Sequence, residues 1–213
     1  MEKPILATNI DGFLINHEAF IEPHRIWFDR VILLTKDESF SKWKGHPEYF
    51  KGVNKAMEKI MPDATKEERT TRARKWYQED VIHYIKLHPE IVNTKLKEVL
   101  VKLKNKFKLA LITTNTNEHI REILEAANLE NLYEIIHASS SEEEPDKAKV
   151  FEEFKQKYKS PKYYIASRSK EAFEECVKIG TLCIYFAQDK INSEIKAIVN
   201  QTLTKPEQLI TLS

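Results

Sequence analysis

The sequence predicts an α/β fold: a parallel sheet flanked by helices, with a purely helical insertion after its first strand. Three observations predict it. A short apolar run, Ile5-Leu6-Ala7, ends in Asn9-Ile10-Asp11-Gly12, the pattern of a buried strand whose end carries polar side chains and a turn. From about His17 to Leu87 the chain shows only helical spacing. From Asn93 onward, strand-like runs alternate with helical faces, as in parallel β-α units joined by right-handed crossovers. The sheet domain is therefore expected to comprise residues 1–15 and 89–213, and the insertion residues 16–88.

Side chains alternate along an extended chain, so Asn9 and Asp11 lean the same way while Ile10 points back to the core. Gly12 then frees the backbone to turn. Polar groups at the carboxyl end of a parallel strand lie where open α/β sheets bind ligands. In the insertion, Phe20, Ile26, Trp27, Val31, Ile32 and Leu34 mark one candidate inward face. Phe40, Trp43, Tyr49, Phe50, Val53, Met57 and Ile60 mark a second. Pro62-Asp63 breaks the pattern. Thr65-Lys66-Glu67-Glu68 matches a capping box, opening a helix that carries Trp76, Tyr77, Val81, Ile82, Tyr84 and Ile85 and stops before Pro89.

Leu96, Val99, Leu100 and Leu103 then sit at helical spacing, followed by a second strand, Phe107–Ile112, ending in Thr113-Thr114-Asn115. A helix with Ile120, Ile123, Leu124 and Ala127 inward leads to a third strand, Glu134–His137, and an acidic loop, Ser139–Glu144. Lys147 opens a helix carrying Val150, Phe151 and Phe154; Lys162–Ala166 is the fourth strand. Ala172, Phe173, Cys176, Val177 and Ile179 make a helix closed by Gly180. Thr181–Phe186 is the fifth strand, before a helix from Ile191 to Val199 and a short element from Pro206 to Leu212.

With 213 residues, one domain with an insertion or two small domains is the natural prior. A hydrophobic content of 41% supports a real core, and 31% charged residues cover it. The net charge of +1 provides no global field for nucleic acid or an anionic membrane. The basic, aromatic stretch Arg69–Tyr77 is interleaved with Glu67, Glu68, Glu79 and Asp80, so an exposed helix face is the better reading than a nucleic-acid platform. No signal-peptide profile and no membrane-length apolar run is visible, so a soluble cytoplasmic protein is expected. Cys176 and Cys183 read as buried free thiols. The seven histidines show no metal-ligand spacing, and surface or capping roles are expected for them.

The stretch Asn9-Ile10-Asp11-Gly12-Phe13 resembles the first motif of the haloacid dehalogenase superfamily of phosphatases and related hydrolases, Asp-x-Asp-Gly-Thr. The resemblance extends over the sheet domain and implies a three-layer, Rossmann-like core with a parallel five-stranded sheet and an inserted α-helical cap. It implies that Asn9 occupies the nucleophile position and Asp11 that of the general acid/base, while Phe13 stands at the threonine. An amide cannot attack phosphorus as a carboxylate does.

The family's second motif, a phosphate-binding Ser or Thr at the end of the second strand, falls at Thr113, with Thr114 and Asn115 opening the next helix. Capping by Thr114 or Thr116 is the alternative. The third motif, a lysine that offsets nucleophile and phosphate charge, matches Lys147, with Lys149 the rival. The fourth, an acidic pair after the fourth strand that holds magnesium, matches Ala166–Glu171, where Ser167 replaces the main aspartate, Arg168 adds positive charge, and Glu171 alone is acidic.

The metal positions are thus Asn9, Asp11, Ser167 and Glu171, a degenerate set expected to bind magnesium weakly or not at all. The implied protein is a catalytically impaired phosphatase homologue that binds a small phosphate-containing ligand or a protein partner. The alternatives are an active phosphohydrolase using displaced carboxylates, Glu171 or Asp189, and a non-enzymatic interaction protein. Homo-oligomerisation is open.

Overall fold

The N-terminal apolar run forms β1 (Ile5–Thr8), with all four residues buried. In the computed structural model, residues 2–46, 48–139, 146–160, 162–187 and 191–212 are described. The chain divides into two compact units: Met1–Asn16 with Val92–Ser213, and His17–Ile91.

The first unit contains α4 (Thr94–Leu103), β2 (Lys108–Thr116), α5 (Asn117–Ala126), β3 (Ile135–Ser139), α6 (Lys147–Lys157), β4 (Tyr163–Ser167), α7 (Lys170–Lys178), β5 (Leu182–Phe186), α8 (Ser193–Ile198) and β6 (Gln201–Leu203), with a final 3-10 turn at Pro206–Thr211; the second unit contains α1 (Glu18–Thr35), α2 (Tyr49–Ile60) and α3 (Lys66–Leu87). The strand order is β3-β2-β1-β4-β5-β6, and every pairing is parallel. The sheet has six strands rather than the expected five. Gln201–Leu203 pairs with β5 through Ile184, Tyr185 and Phe186; three residues with one buried side chain carry too little alternation to be seen in sequence.

Alternation sets the layers. Ile5 and Ala7 join a core with Val150, Phe154, Ile165, Phe173 and Cys183, and Leu6 and Thr8, equally buried, point to the other face of the strand. There Thr8 Oγ1 and Tyr133 Oη share a buried hydrogen bond of 2.7 Å. Both cysteines are buried and free. Val177, expected inward, is 53% exposed: it adjoins Cys176, and neighbouring residues on a helix point about 100° apart. Of the acidic loop Ser139–Glu144, only Ser139 lies among the described residues, at the end of β3; Asp189 lies outside them.

In the helical unit, α1, α2, α3 and a 3-10 turn at Glu38–Trp43 pack around Trp27, Phe28, Val31, Phe40, Ala56, Met57 and Ala73. The capping box at Thr65 is present: Glu68 N donates to Thr65 Oγ1 at 3.2 Å, and Thr65 N donates to Glu68 Oε2 at 2.7 Å. Three residues expected inward, Ile26, Leu34 and Phe50, are exposed. Ile26 lies about 100° round the helix from Trp27, whereas Leu34 and Phe50 sit in terminal turns. The Arg69–Tyr77 stretch is tied into the unit: Arg69 donates to Met61 O, and the Trp76 ring carries Arg30 and Arg72 at 5.4 and 5.7 Å from its centroid. Among the described residues, no helix is long and apolar enough to cross a membrane.

Gly52 shows how closely this unit is packed. A Cβ on it would lie 2.4 Å from Trp43 Cγ. Alanine favours a helix over glycine by about 1 kcal/mol, but displacing a packed indole costs about 1–3 kcal/mol. Gly52→Ala is expected to be net destabilising, by roughly 1–2 kcal/mol in urea unfolding.

Candidate active site

The strand order places the carboxyl ends of β2, β1 and β4 side by side. Chain progression reverses between β1 and β4, the position at which open parallel sheets form a ligand crevice. Thr8 is in register with Leu111 of β2 and Ala166 of β4. Asn9 therefore emerges level with Ser167, the last residue of β4.

After β1 the chain makes a tight loop. Ile10 is buried, Gly12 adopts a φ of +66°, and Gly12 N donates to Ile15 O at 2.8 Å. A side chain would be strained at that φ. Phe13, at the family's threonine position, is core: it is 1% exposed and meets Phe186 edge-on at 5.8 Å. Asn9 Nδ2 donates to the Asp11 carbonyl at 2.6 Å, leaving Asn9 Oδ1 buried without a partner. The opposite amide orientation would set two oxygens against each other at that distance, so the N–H is the group facing the carbonyl.

β2 runs past the expected Ile112 to Thr116, with a register irregularity between Thr113 and Thr116. Thr114 and Asn115 thus belong to the strand rather than opening the helix. Thr113 Oγ1 accepts from Asn115 N at 3.1 Å and Asn115 Nδ2 at 3.2 Å. Thr114 O accepts from Ser139 Oγ at 2.6 Å. The helix cap falls to Thr116, which accepts from His119 N at 3.2 Å. A hydroxyl that accepts still carries a proton to donate, so Thr113 retains the chemistry to meet an anion.

Lys147 is the first residue of α6, behind an N-cap Asp146 that accepts from Lys149 N at 3.0 Å. Lys147 Nζ reaches Glu171 Oε2 at 2.5 Å and Ser169 Oγ at 3.3 Å, which places it against the segment after β4. Its rival Lys149 lies 4.0 Å from Glu153 on α6 itself. The Lys147 hydrogen bond and then its charge hold the Glu171 carboxyl below the usual carboxylate range. Ser167 is fully buried, and its Oγ accepts from Ser169 N at 3.0 Å. Arg168 Nη1 donates to Gly12 O at 3.0 Å, joining the β4 end to the β1 loop.

The arrangement brings Asn9 to Asp11, Arg168 to Gly12, and Lys147 to Glu171; Thr113 and Thr114 lie within the neighbouring strand β2, with Thr113 bonded to Asn115. Ser169 escaped sequence reasoning although its signal was there: it is the N-cap of α7, accepting from Ala172 N at 3.3 Å. The histidines need correction as well. His119 and His137 are buried rather than superficial, and His24 stacks between Tyr49 and Tyr77. Burial lowers the pKa of His24 and of His119 to about 4, so both rings are neutral at pH 7.

Magnesium requires hard oxygen donors, with one or two carboxylates. The residues present do not suit it. Asn9 presents an N–H donor to the Asp11 carbonyl, Ser167 is neutral and engaged with Ser169, and Glu171 is paired with Lys147. Among the described residues, no group of three or more His, Cys, Asp or Glu side chains is placed to hold a metal ion.

The fold has counterparts among known proteins. A phosphoglycolate phosphatase of Aquifex aeolicus is 29% identical over 167 residues, covering 76% of this chain and 75% of its own. A haloacid dehalogenase-like hydrolase of Streptococcus pneumoniae superposes with a TM-score of 0.68 at 14% identity, over 98% of this chain and 97% of its own. A HAD-hydrolase of Bacillus subtilis, solved bound to magnesium, superposes with a TM-score of 0.64 at 13% identity, over 98% and 97%. The profile of the haloacid dehalogenase-like hydrolases matches residues 10–176. The chain belongs to the haloacid dehalogenase-like hydrolase family.

Proposed function

We propose that this protein is a catalytically impaired phosphatase homologue whose cleft binds a small phosphate-containing ligand. The observation that carries the reading is the Asn9 side chain: where the family places a nucleophilic carboxylate, an amide N–H is hydrogen-bonded to the Asp11 carbonyl. A carboxylate oxygen forms the covalent intermediate in this chemistry, and the oxygen of a neutral amide is too weak a nucleophile to replace it. The surviving parts support an anion site. Thr113, with Thr114 beside it, supplies a hydroxyl, Lys147 a cation, and Asp11 the acid that would protonate a leaving oxygen.

Ser167 and Glu171 occupy the remaining metal positions without forming a cage. Glu171, one of the two displaced carboxylates that would rescue catalysis, is paired with Lys147. The phosphatase name of the Aquifex relative supports a phosphate-bearing ligand. In this reading residues 16–88 are the family's cap, and residues 1–15 with 89–213 are its core.

The test is hydrolysis of a generic phosphomonoester with magnesium, comparing the parent with Asp11→Ala. The two are expected to be indistinguishable. Turnover in the parent that disappears in Asp11→Ala would establish an active phosphohydrolase instead.

A further inference from the structure

We infer that the chain supplies its own cation to this site: Arg168 stands in for magnesium, and anion binding here is independent of divalent metal. The inference rests on the reading of the cleft as a phosphate site. Arg168 directly follows Ser167, the residue in place of the main metal-binding aspartate. Its guanidinium is held at the β1 loop by the 3.0 Å bond from Nη1 to Gly12 O, across 156 positions of sequence. A full positive charge is thereby fixed where the ends of β1 and β4 meet.

Two neighbouring carbonyls of that loop both accept from nitrogen: Asp11 O from the Asn9 amide, and Gly12 O from Arg168. N–H donors now occupy a lining that a hard cation would need as oxygen ligands. A second cation, Lys147, is steadied by Ser169 and Glu171 on the same segment after β4.

Charge balance points the same way. Relative to the family pattern, Asn9 and Ser167 each remove one negative charge, and the absence of a magnesium ion would remove two positive charges. The two changes cancel, so a phosphate group meets no greater repulsion without the metal. Arg168 then adds one positive charge. A guanidinium is also the side chain best matched to phosphate, because its planar fork presents parallel N–H donors to two oxygens.

The experiment is calorimetric titration of the full chain with inorganic phosphate, once in excess chelator and once in magnesium. It is repeated for Arg168→Gln and Arg168→Lys, with circular dichroism to confirm folding. The parent is expected to bind with the same affinity in both media, within about twofold. Arg168→Gln should weaken binding by about tenfold or more, and Arg168→Lys, which keeps the charge but loses the fork, by an intermediate factor.

Phosphate binding that requires magnesium would overturn the inference and leave the phosphate site standing. So would parent-like affinity in a folded Arg168→Gln. If Arg168→Gln fails to fold, Arg168→Lys decides: weaker, metal-independent binding supports the inference, and unchanged affinity overturns it. No phosphate binding by the parent in either medium would remove the phosphate-site reading itself, and this inference with it.

Discussion

Asn9→Asp combined with Ser167→Asp is expected to give a protein that binds magnesium and hydrolyses a phosphomonoester in its presence. The aspartate at position 9 exchanges the amide donor for a carboxylate, which ends the hydrogen bond to the Asp11 carbonyl and turns that oxygen into a ligand. The aspartate at position 167 adds a second carboxylate at a fully buried position. A buried carboxylate without a cation is costly, so the double variant should be less stable than the parent in chelator. Magnesium should recover that loss, by about 2.7 kcal/mol at a hundred times the dissociation constant.

Asn9→Asp alone should do less, because Arg168 and Lys147 neutralise its charge without building a metal cage. With both carboxylates present, Thr113 and Lys147 are expected to hold the phosphoryl group and Asp11 to protonate the leaving oxygen. The magnesium-dependent rate should exceed the parent's background by roughly a hundredfold or more, the order that one electrostatic contact at the transition state supplies. Hydrolysis assays and magnesium-dependent thermal midpoints read both effects. A double variant that folds but neither binds magnesium nor turns over would remove Thr113 and Lys147 as phosphate contacts.

The largest stability effect is expected in the helical unit, from Arg30→Met. Asp80 is 9% exposed; Arg30 Nη2 donates to its Oδ1, and Oδ2 is buried without a partner. Burial raises the Asp80 pKa, against the charge and hydrogen bond of Arg30, which lower it. Removing the guanidinium leaves a buried carboxylate uncompensated, an effect of about 3–5 kcal/mol. Loss of the Arg30–Trp76 contact adds roughly 0.5–1 kcal/mol.

The pH dependence has a definite sign. A group whose folded pKa is raised contributes stability that is present below its unfolded value, and that contribution is lost as pH rises through the folded value. The deficit of Arg30→Met should therefore shrink on acidification towards the ordinary aspartate value of 3.8. Adding Asp80→Asn should recover much of it at pH 7. Chemical denaturation across pH, with a deficit that does not shrink in acid, would show that Asp80 is not the group responsible.

Periodic and local features were legible in the sequence. The run Ile5–Ala7, the β-α alternation and the Thr65 capping box each depend on residues within one or two turns of one another. The resemblance to the family's motifs likewise pointed to the end of β1, the start of α6 and the end of β4, where Asn9, Lys147 and Ser167 fall. What could not be read depends on distant or non-periodic contacts. The Arg168–Gly12 bond joins residues 156 apart, and the Asn9–Asp11 bond depends on how the loop folds back. β6 is too short for a period to show. His119 and His137 gave no warning of burial, since one imidazole on an amphipathic face is compatible with either side. Ile26, Leu34, Phe50 and Val177 were expected inward by their chemistry, but their neighbours in three dimensions leave them at the surface.

The most direct measurement of the central claim is a calorimetric titration of the unaltered protein with magnesium in the presence of phosphate. The donor set around Asn9, Asp11, Ser167 and Glu171 predicts no saturable binding heat up to about 10 mM, because hydrated magnesium gains too little from neutral and already engaged oxygens to give up its waters. One-to-one binding with a sub-millimolar dissociation constant would contradict it and restore metal-dependent phosphoryl chemistry to this chain.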